Sequence, residues 1–158
     1  MPFGSLIQIG LAQFWIKDPN GNQTDYTYAT HGGVLSEMQP APSVGVARPL
    51  KLYTYTQKFA YIKNSVGTLV QAATSIWMPA TEITCQTVAN SNVAACDGAA
   101  VQTVVTYEYG ADGTANNLRA RGKMVSWNGT SLRTCFGYDN QGSKIWETSP
   151  RAGLASCP

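Results

Sequence analysis

Residues 18–38 read DPNGNQTDYTYATHGGVLSEM, and this stretch decides the fold. It opens with Asp18-Pro19-Asn20-Gly21, a turn in which proline presets φ and glycine accepts a left-handed backbone. The strand that follows places Tyr26 and Tyr28 on one face, because side chains alternate along a strand. A second glycine turn comes next, and residues 34–38 run back. The order of turn, strand, turn and strand predicts a β-hairpin.

An aromatic pair at positions i and i+2 recurs along the chain, usually just before a glycine turn. The pairs are Tyr26 with Tyr28, Tyr53 with Tyr55, Tyr107 with Tyr109, and Phe136 with Tyr138. Their first members are separated by 27, 54 and 29 residues. A period of about 20–50 residues is typical of arrays of small supersecondary units. Residues 133–148 repeat the plan of the first hairpin, with a turn at 140–142.

These residues resemble the repeats of the RHS/YD family of bacterial proteins. The family's repeat has an Asp-Pro-x-Gly turn, a polar spacer, Tyr-x-Tyr-Asp, a short glycine turn, an aliphatic pair and a Thr-x-Pro ending. Residues 18–40 and 133–150 follow that order, except that Ala29 stands where the family usually has aspartate. Residues 104–113 are a looser copy, and residues 53–100 are degenerate. The residues that carry the motif here are Asp18, Pro19, Gly21, Tyr26, Tyr28, Gly33, Tyr53, Tyr55, Tyr107, Tyr109, Phe136, Tyr138, Asp139 and Gly142.

The resemblance implies an all-β fold of consecutive antiparallel β-hairpins that form a curved sheet, an arc of an RHS/YD β-shell. Residues 1–158 would be a single array of about five or six hairpins. The implied function is structural: in the family, such a shell encapsulates a C-terminal toxin or effector for delivery. The implied partners are adjacent repeats of a longer parent chain and an encapsulated effector, and the parent would be secreted or associated with the cell surface.

Composition agrees with a β-rich domain. The chain has 158 residues, of which 44% are hydrophobic and only 13% are charged. No stretch of 12 or more residues has clean helical periodicity, so we expect no helix longer than about 12 residues. Hairpin turns are predicted near residues 30–33, 110–113, 128–129 and 140–142, the third from Asn128-Gly129.

Charge and hydropathy exclude two classes of partner. A net charge of +2 and a pI near 8.4 are too mild to indicate a nucleic-acid-binding protein. No segment reaches the ~18–20 apolar residues that a membrane span needs. The apolar start of the chain has no basic residues before it, so no signal peptide is evident.

The cysteine pattern does not decide between free thiols and disulfides. Cys85 and Cys96 lie 11 residues apart across a predicted turn, so a hairpin disulfide between them is geometrically reasonable. The other two cysteines are Cys135 and Cys157, so one or two disulfides are open to the chain. Free thiols in a reducing compartment and disulfides outside it both fit the sequence. The chain has no Cys-x-x-Cys and one histidine, so we expect neither a metal nor an organic cofactor.

Three further hypotheses compete with the structural function. Exposed aromatic residues on the sheet would favour a carbohydrate- or cell-surface-binding module. A small secreted hydrolase would need a cleft that joins His31 to carboxylates, but the sequence has no nucleophile elbow or other catalytic motif, so we expect no enzyme activity. Finally, Arg119, Arg121 and Lys123 alternate on one strand face, either as a solvated face or as a small anion-binding stripe.

Overall fold

The computed structural model describes residues 4–8 and 11–158, with side chains from residue 14 onward. The strands are β1 (Gly4–Gln8), β2 (Leu11–Lys17), β3 (Gln23–Tyr28), β4 (Val34–Met38), β5 (Pro49–Lys63), β6 (Leu69–Gln86), β7 (Thr103–Tyr109), β8 (Ala120–Trp127), β9 (Thr130–Tyr138) and β10 (Lys144–Glu147). Within these residues the one helical segment is a 3₁₀ turn, Pro150–Ala152. The predictions of an all-β fold and of no long helix are therefore confirmed for the described part of the chain.

Each strand is hydrogen-bonded to the strand that precedes it in the chain. The order runs from β1 to β10, with no crossover among the described strands. The pairings are antiparallel, as in Ser36 opposite Leu52 between β4 and β5, and in Val125 opposite Leu132 between β8 and β9. Consecutive antiparallel hairpins, as predicted, are what the structure contains.

The chain forms two compact units. The first contains the described residues up to Thr54 together with Glu82–Thr103, and the second contains Tyr55–Thr81 together with Val104–Pro158. The long strands β5 and β6 each contribute one part to each unit. The single array over 1–158 that the sequence predicts stays a prediction.

The core of the first unit lies where β4, β5 and β6 meet. Met38, Leu50 and Cys85 are buried there, with Leu50 only 1% exposed. Met38 is directly opposite Leu50 in the β4–β5 pair, so the two side chains share a face. Cys85 is bonded to Cys96, with the two Cα atoms 5.7 Å apart, and this disulfide lies within the core.

Arg48 ties three strands of the first unit together. Its Nη2 lies 2.7 Å from Asp25 Oδ2 on β3 and donates to the carbonyl of Met38 at the end of β4, at 3.1 Å. The same nitrogen donates to the carbonyl of Gln23, and Nε donates to that of Gln39. Both charged side chains are only 13% exposed. The guanidinium therefore satisfies a carboxylate and three backbone carbonyls in a largely dry position.

A second disulfide lies in the second unit. Cys135 on β9 is fully buried and is bonded to Cys157. Gly122, beside it on β8, has no room for a side chain. A Cβ there would lie 2.5 Å from Glu108 Oε2 and 2.8 Å from Cys157 Sγ. The disulfide holds the segment after β10 against β8 and β9.

Four strand connections share one turn. They are residues 18–22, 29–33, 64–68 and 139–143. In each, the first amide donates to the fifth carbonyl and the fourth amide donates to the first carbonyl, at 2.8–3.1 Å. The fourth residue is always a glycine, with φ between +83° and +86°. This is the three-residue hairpin loop that closes on a left-handed glycine. In the second turn that glycine is Gly32, so the motif assignment of Gly33 needs correction by one position.

A side chain caps three of these four turns. Asp18, Asn64 and Asp139, each at the first position, accept hydrogen bonds through Oδ1 from the amides two and four residues later, at 2.8–3.1 Å. The remaining turn begins with Ala29, which has no acceptor to offer. Ala29 is also the position where the resemblance to the repeat family fails.

We expect Ala29→Asp to raise the free energy of unfolding by about 1 kcal/mol, because it would add the two side-chain-to-amide hydrogen bonds that the other turns possess. The converse variant, Asp139→Ala, should lower it by a similar amount. Urea unfolding measures both. Stability unchanged in both variants would show that the capping bonds contribute nothing.

The predicted turns at 30–33, 128–129 and 140–142 are present. Asn128 and Gly129 both have positive φ, 46° and 78°, as a two-residue type I′ hairpin requires. The turn predicted at 110–113 is shorter than the connection that the structure contains. A turn does occur there, but β7 ends at Tyr109 and β8 begins at Ala120, so the connection spans residues 110–119.

Candidate functional site

A groove of about 320 Å³ opens in the second unit, between the 110–119 connection and strands β9 and β10. Its lining combines aromatic rings with polar groups. The lining residues are Ala111, Thr114, Ala115, Asn116, Arg121, Phe136, Gly137, Tyr138 and Trp146. A volume near 300 Å³ is at the lower end of the range of small-molecule sites.

Three aromatic side chains form the apolar wall. Phe136 and Tyr138 come from β9, and Trp146 comes from β10, where it is paired with Gly137. The indole lies directly against Gly137, since a Cβ at that position would be 2.0 Å from Trp146 Nε1. Glycine between two aromatic residues therefore makes room for the indole. Trp146 is still 38% exposed, so part of its ring faces solvent.

The polar wall comes from the long connection and the start of β8. Asn116 has φ +61°, a left-handed conformation that asparagine tolerates better than most residues. Its Nδ2 donates to the carbonyl of Asp139 at 2.7 Å, which joins the connection to the β9–β10 turn. Gly142 in that turn is also close to this polar wall, because a Cβ there would lie 3.1 Å from Asn116 Oδ1.

The connection is anchored on its other side to β5. Asn117, only 2% exposed, donates from Nδ2 to the carbonyl of Phe59 at 2.8 Å. Lys58 Nζ donates to the carbonyl of Gly110 at 3.1 Å and to Asp112 Oδ1 at 2.8 Å. These bonds fix a ten-residue connection that has no strand or helix of its own.

The Asp112 carboxylate gives this anchor a pH dependence. Hydrogen bonds from Lys58 and Asn117 hold the pKa of Asp112 below its ordinary value. Because the folded state favours the charged form, the stabilisation is complete above the ordinary aspartate pKa and is lost as the pH falls through the lower folded pKa. Asp112→Asn should therefore be less stable than the parent at neutral pH, with the difference shrinking below about pH 4. Thermal unfolding at a series of pH values measures this, and a difference that does not change with pH would contradict it.

Three basic side chains lie at the groove or against the rings that line it. The Arg119 guanidinium lies over the Tyr138 ring at 5.8 Å, and Lys144 Nζ lies over the Phe136 ring at 5.6 Å. Lys144 is also paired with Glu147, and the hydrogen bond to Glu147 raises the pKa of Lys144. Arg121 is the charged residue of the lining, which contains no carboxylate. The groove can therefore accept an anionic group.

A second cavity, of about 310 Å³, lies beneath the segment that the Cys135–Cys157 disulfide holds. Glu108, Tyr109, Arg121 and Arg133 line it from the strands, and Ser156 and Cys157 line it from the covering segment. Arg133 Nη2 lies 2.7 Å from Glu108 Oε1, and Arg121 donates to the carbonyl of Pro158. Arg121 thus belongs to both cavities.

The other three aromatic pairs do not line the groove. Tyr26 and Tyr28 have ring centroids 6.4 Å apart on β3, and Phe14 meets Tyr28 edge-on at 5.5 Å. Tyr53 and Tyr55 are half-buried on β5. Tyr107 and Tyr109 lie on β7, where the Tyr109 hydroxyl donates to the carbonyl of Pro79 at 2.7 Å and burial raises its pKa. The last pair, Phe136 with Tyr138, is the pair that lines the groove.

The other residues that the sequence singles out lie in several different parts of the structure. Asp18, Pro19 and Gly21 form the β2–β3 turn, and Asp139 and Gly142 form the β9–β10 turn. Of the alternating basic residues, Arg121 lines both cavities, whereas Arg119 covers Tyr138. His31 lies in the β3–β4 turn and lines neither cavity. Within residues 4–8 and 11–158 no group of three or more His, Cys, Asp and Glu side chains is placed to hold a metal ion.

Trp146 and Asn116 are the site residues that sequence reasoning misses. The sequence predicts Trp146 only as a residue of a return strand. Asn116 lies in a connection that the sequence predicts to be a short turn. One local signal was available for Trp146: a glycine between two aromatic residues, followed after a tight turn by a tryptophan, is the pattern of an indole packed across a hairpin.

The fold and the groove define an all-β protein of sequential hairpins that carries an aromatic cleft on its second unit. No protein family model, curated protein or solved structure matches the chain. No helix in the described residues is long and apolar enough to cross a membrane.

Proposed function

We propose that the chain is a structural segment of an RHS/YD-type β-shell, in which successive hairpins build a wall around a C-terminal effector of a secreted or surface-associated parent protein. The observation that carries the proposal is the recurring glycine turn. One turn geometry closes four of the hairpins, in a strand order that follows the chain. Such an order can be lengthened by any number of further hairpins without rearrangement. The role proposed is architectural and not catalytic.

The outer strand of the second unit supports the same role. All four residues of β10 are exposed, and β10 ends the strand order. An unpaired strand edge is a template for another strand. In the proposed shell, that strand would be supplied by an adjacent repeat.

The reading frame on either side of this chain tests the proposal. We expect it to encode further hairpins with an aromatic pair and a five-residue turn whose fourth residue is glycine, followed by an effector domain without such repeats. A frame that encodes these hairpins nowhere outside residues 1–158 would contradict the shell function.

A second function, saccharide binding, is favoured by one specific observation. The groove places Phe136, Tyr138 and Trp146 beside Arg121 and Asn116 in a single cleft. An aromatic face supplies a large apolar contact, and the amide and guanidinium supply hydrogen bonds that fix orientation. Saccharides have both an apolar ring face and a rim of hydroxyl groups. The two functions are compatible, since a shell wall can carry a binding site.

Isothermal titration with short oligosaccharides tests this second function. Trp146→Ala should weaken binding at least about tenfold, the loss expected for one well-placed aromatic contact. Trp127→Ala is a matched control, because Trp127 is also 38% exposed but does not line the groove. Equal effects of the two variants, or no binding by the parent protein, would exclude the groove as a saccharide site.

A further inference from the structure

The segment after β10, residues 149–158, buries little of its own surface, and we call it the strap. All of its residues are exposed except Leu154 and Cys157, and these two are only half-buried. Its regular structure is a single 3₁₀ turn, Pro150–Ala152. A segment with so few buried apolar side chains has little stability of its own, so its closed position depends on the bonds that attach it to the sheet.

One of these bonds is covalent. Cys157 of the strap is bonded to Cys135 on β9, whose side chain is fully buried and therefore fixed in the sheet. Arg121 on β8 also donates to the carbonyl of Pro158, but this arginine is exposed, so water competes for the same donor. The disulfide is therefore the strongest attachment of the strap.

The closed strap carries a cost at Arg133 on β9. Its Nη2 is paired with Glu108, and its Nη1 donates to the carbonyl of Leu154 in the strap at 3.3 Å, which is long for a hydrogen bond. Its Nε is buried and has no hydrogen-bond partner among the described residues. A buried donor without a partner is unfavourable. Because the same guanidinium contacts the strap, opening of the strap would let water reach it.

The Cys135–Cys157 bond is also the more accessible of the two disulfides. Cys157 is half-buried and lines the second cavity, of about 310 Å³, through which a thiol can approach its sulfur. In the other disulfide, Cys85 is 5% exposed, and both Cys85 and Cys96 belong to the apolar core of the first unit. Exchange between a thiol and a disulfide requires direct access to a sulfur atom, so we expect the Cys135–Cys157 bond to react first.

The charges at the second cavity favour the same reaction. Arg121 and Arg133 both line the cavity, and its one carboxylate, that of Glu108, is already paired with Arg133. Positive charge near a cysteine favours the thiolate, which is the form that attacks and the form that leaves in thiol–disulfide exchange.

We propose that Cys135–Cys157 is a redox latch, which a dithiol reductant opens at Cys157 to release the strap and uncover the Glu108–Arg133 pair. A thiolate of the reductant attacks Cys157 Sγ and forms a mixed disulfide, while Cys135 leaves as a thiolate and takes up a proton. The second thiol of the reductant loses its proton and displaces Cys157, which is protonated in turn. The reductant leaves as a disulfide and both cysteines are thiols.

The opened latch leaves the sheet intact. Cys135 stays in its buried position, where a free cysteine behaves as a small apolar residue. Arg121 loses its contact with Pro158 and, since it also lines the aromatic groove, becomes free to donate there. The latch is independent of the shell and saccharide-binding functions proposed above.

Stepwise reduction of the parent protein tests the latch. Dithiothreitol is added in small amounts, the freed thiols are alkylated with iodoacetamide, and mass spectrometry of a non-reduced digest measures each pair. Cys135–Cys157 should be reduced at least about tenfold faster than Cys85–Cys96. In protein reduced at that bond alone, amide hydrogen exchange of residues 149–158 should be at least about tenfold faster than in oxidised protein, while β8 and β9 exchange as before.

Two variants provide matched controls. Cys157→Ser removes the latch bond, so its strap should exchange fast without a reductant and should not respond when one is added. Cys96→Ser breaks the other disulfide, so its strap should exchange slowly until the reductant is added.

Three outcomes overturn the proposal. The first is reduction of Cys85–Cys96 before Cys135–Cys157 or at the same rate. The second is unchanged exchange of the strap after the latch bond is reduced. The third is faster exchange of β8 and β9 together with the strap, which would show that the bond only supports the fold. All three are measured on the parent protein, so they decide the matter even if a variant does not fold.

Discussion

Replacing Arg48 with methionine is expected to lower the free energy of unfolding of the first unit by about 3 kcal/mol. Removing one member of a buried ion pair leaves the other charge without its partner, which typically costs about 3–5 kcal/mol. The Arg48–Asp25 pair is 13% exposed on each side, so the lower end of that range applies. The variant also removes the guanidinium, whose Nε and Nη2 donate to three backbone carbonyls.

A weaker ion pair in the same unit provides the control. Lys51 Nζ lies 4.0 Å from Glu82 Oε1, and the two side chains are 39% and 29% exposed. Exposed pairs of this kind contribute about 0–1 kcal/mol, so Lys51→Met should have little effect. Urea unfolding of both variants gives the comparison. Similar small losses in the two variants would contradict the assignment of Arg48 as the residue that ties β3, β4 and β5 together.

Removal of either disulfide should lower the free energy of unfolding by about as much as Arg48→Met does. Cys85 and Cys96 are separated by 11 residues, and Cys135 and Cys157 by 22. The loop-closure entropy of the unfolded chain gives about 3 kcal/mol for each. The variants Cys85→Ala with Cys96→Ala, and Cys135→Ala with Cys157→Ala, should each lose about that much in thermal or urea unfolding.

Reduction of the parent protein provides the second readout. Each double variant should lose less stability on addition of a dithiol reductant than the parent, because it has only one disulfide left to lose. Mass spectrometry of a non-reduced digest should recover the two native pairs. Scrambled pairing, or double variants as stable as the parent, would contradict the disulfide assignment.

The parts of the fold that sequence reasoning predicts correctly are those that local chemistry determines. Asp18-Pro19-Asn20-Gly21 and Asn128-Gly129 define their turns through the φ preferences of single residues, and both turns occur where they are expected. The strand Val34–Met38 matches its prediction residue for residue, because turn residues bound it on both sides.

The parts that sequence reasoning misses depend on residues far apart in the chain. The Cys135–Cys157 bond joins a buried strand to a segment that has little structure of its own. Arg48 meets Asp25 across 23 positions, and no local pattern marks either residue. The turn at 64–68 has the same geometry as the others but lies in a stretch whose aromatic pattern is degenerate, so the repeat pattern does not predict it.

The candidate groove combines residues that local sequence patterns mark with residues that only the folded chain brings together. Phe136 and Tyr138 stand out as a repeat pair, and Arg121 stands out in an alternating basic stripe, so these three lining residues are visible in the sequence. The β8–β9 hairpin brings the two together, since Arg121 and Phe136 lie next to the Gly122–Cys135 pair. The other side of the groove is the 110–119 connection, which Asn116 and Asn117 hold through long-range bonds to Asp139 and Phe59.

The edge of β10 gives the most direct test of the shell account. Thr148 donates its amide hydrogen to Cys135 on β9, so by strand alternation the amide of Glu147 points away from β9, toward an incoming strand. Proline at this position would remove that donor and spare the pairing with β9. Glu147→Ala is the matched control, because it removes the same side chain and keeps the amide.

Light scattering of the purified chain over a range of concentrations is the measurement. The account predicts a mass that rises with concentration, because open strand edges and low charge density favour edge-to-edge pairing. Glu147→Pro should reduce this association and Glu147→Ala should not. A monodisperse monomer at all concentrations, with the same behaviour in both variants, would contradict the account of the chain as an extendable segment of a β-shell.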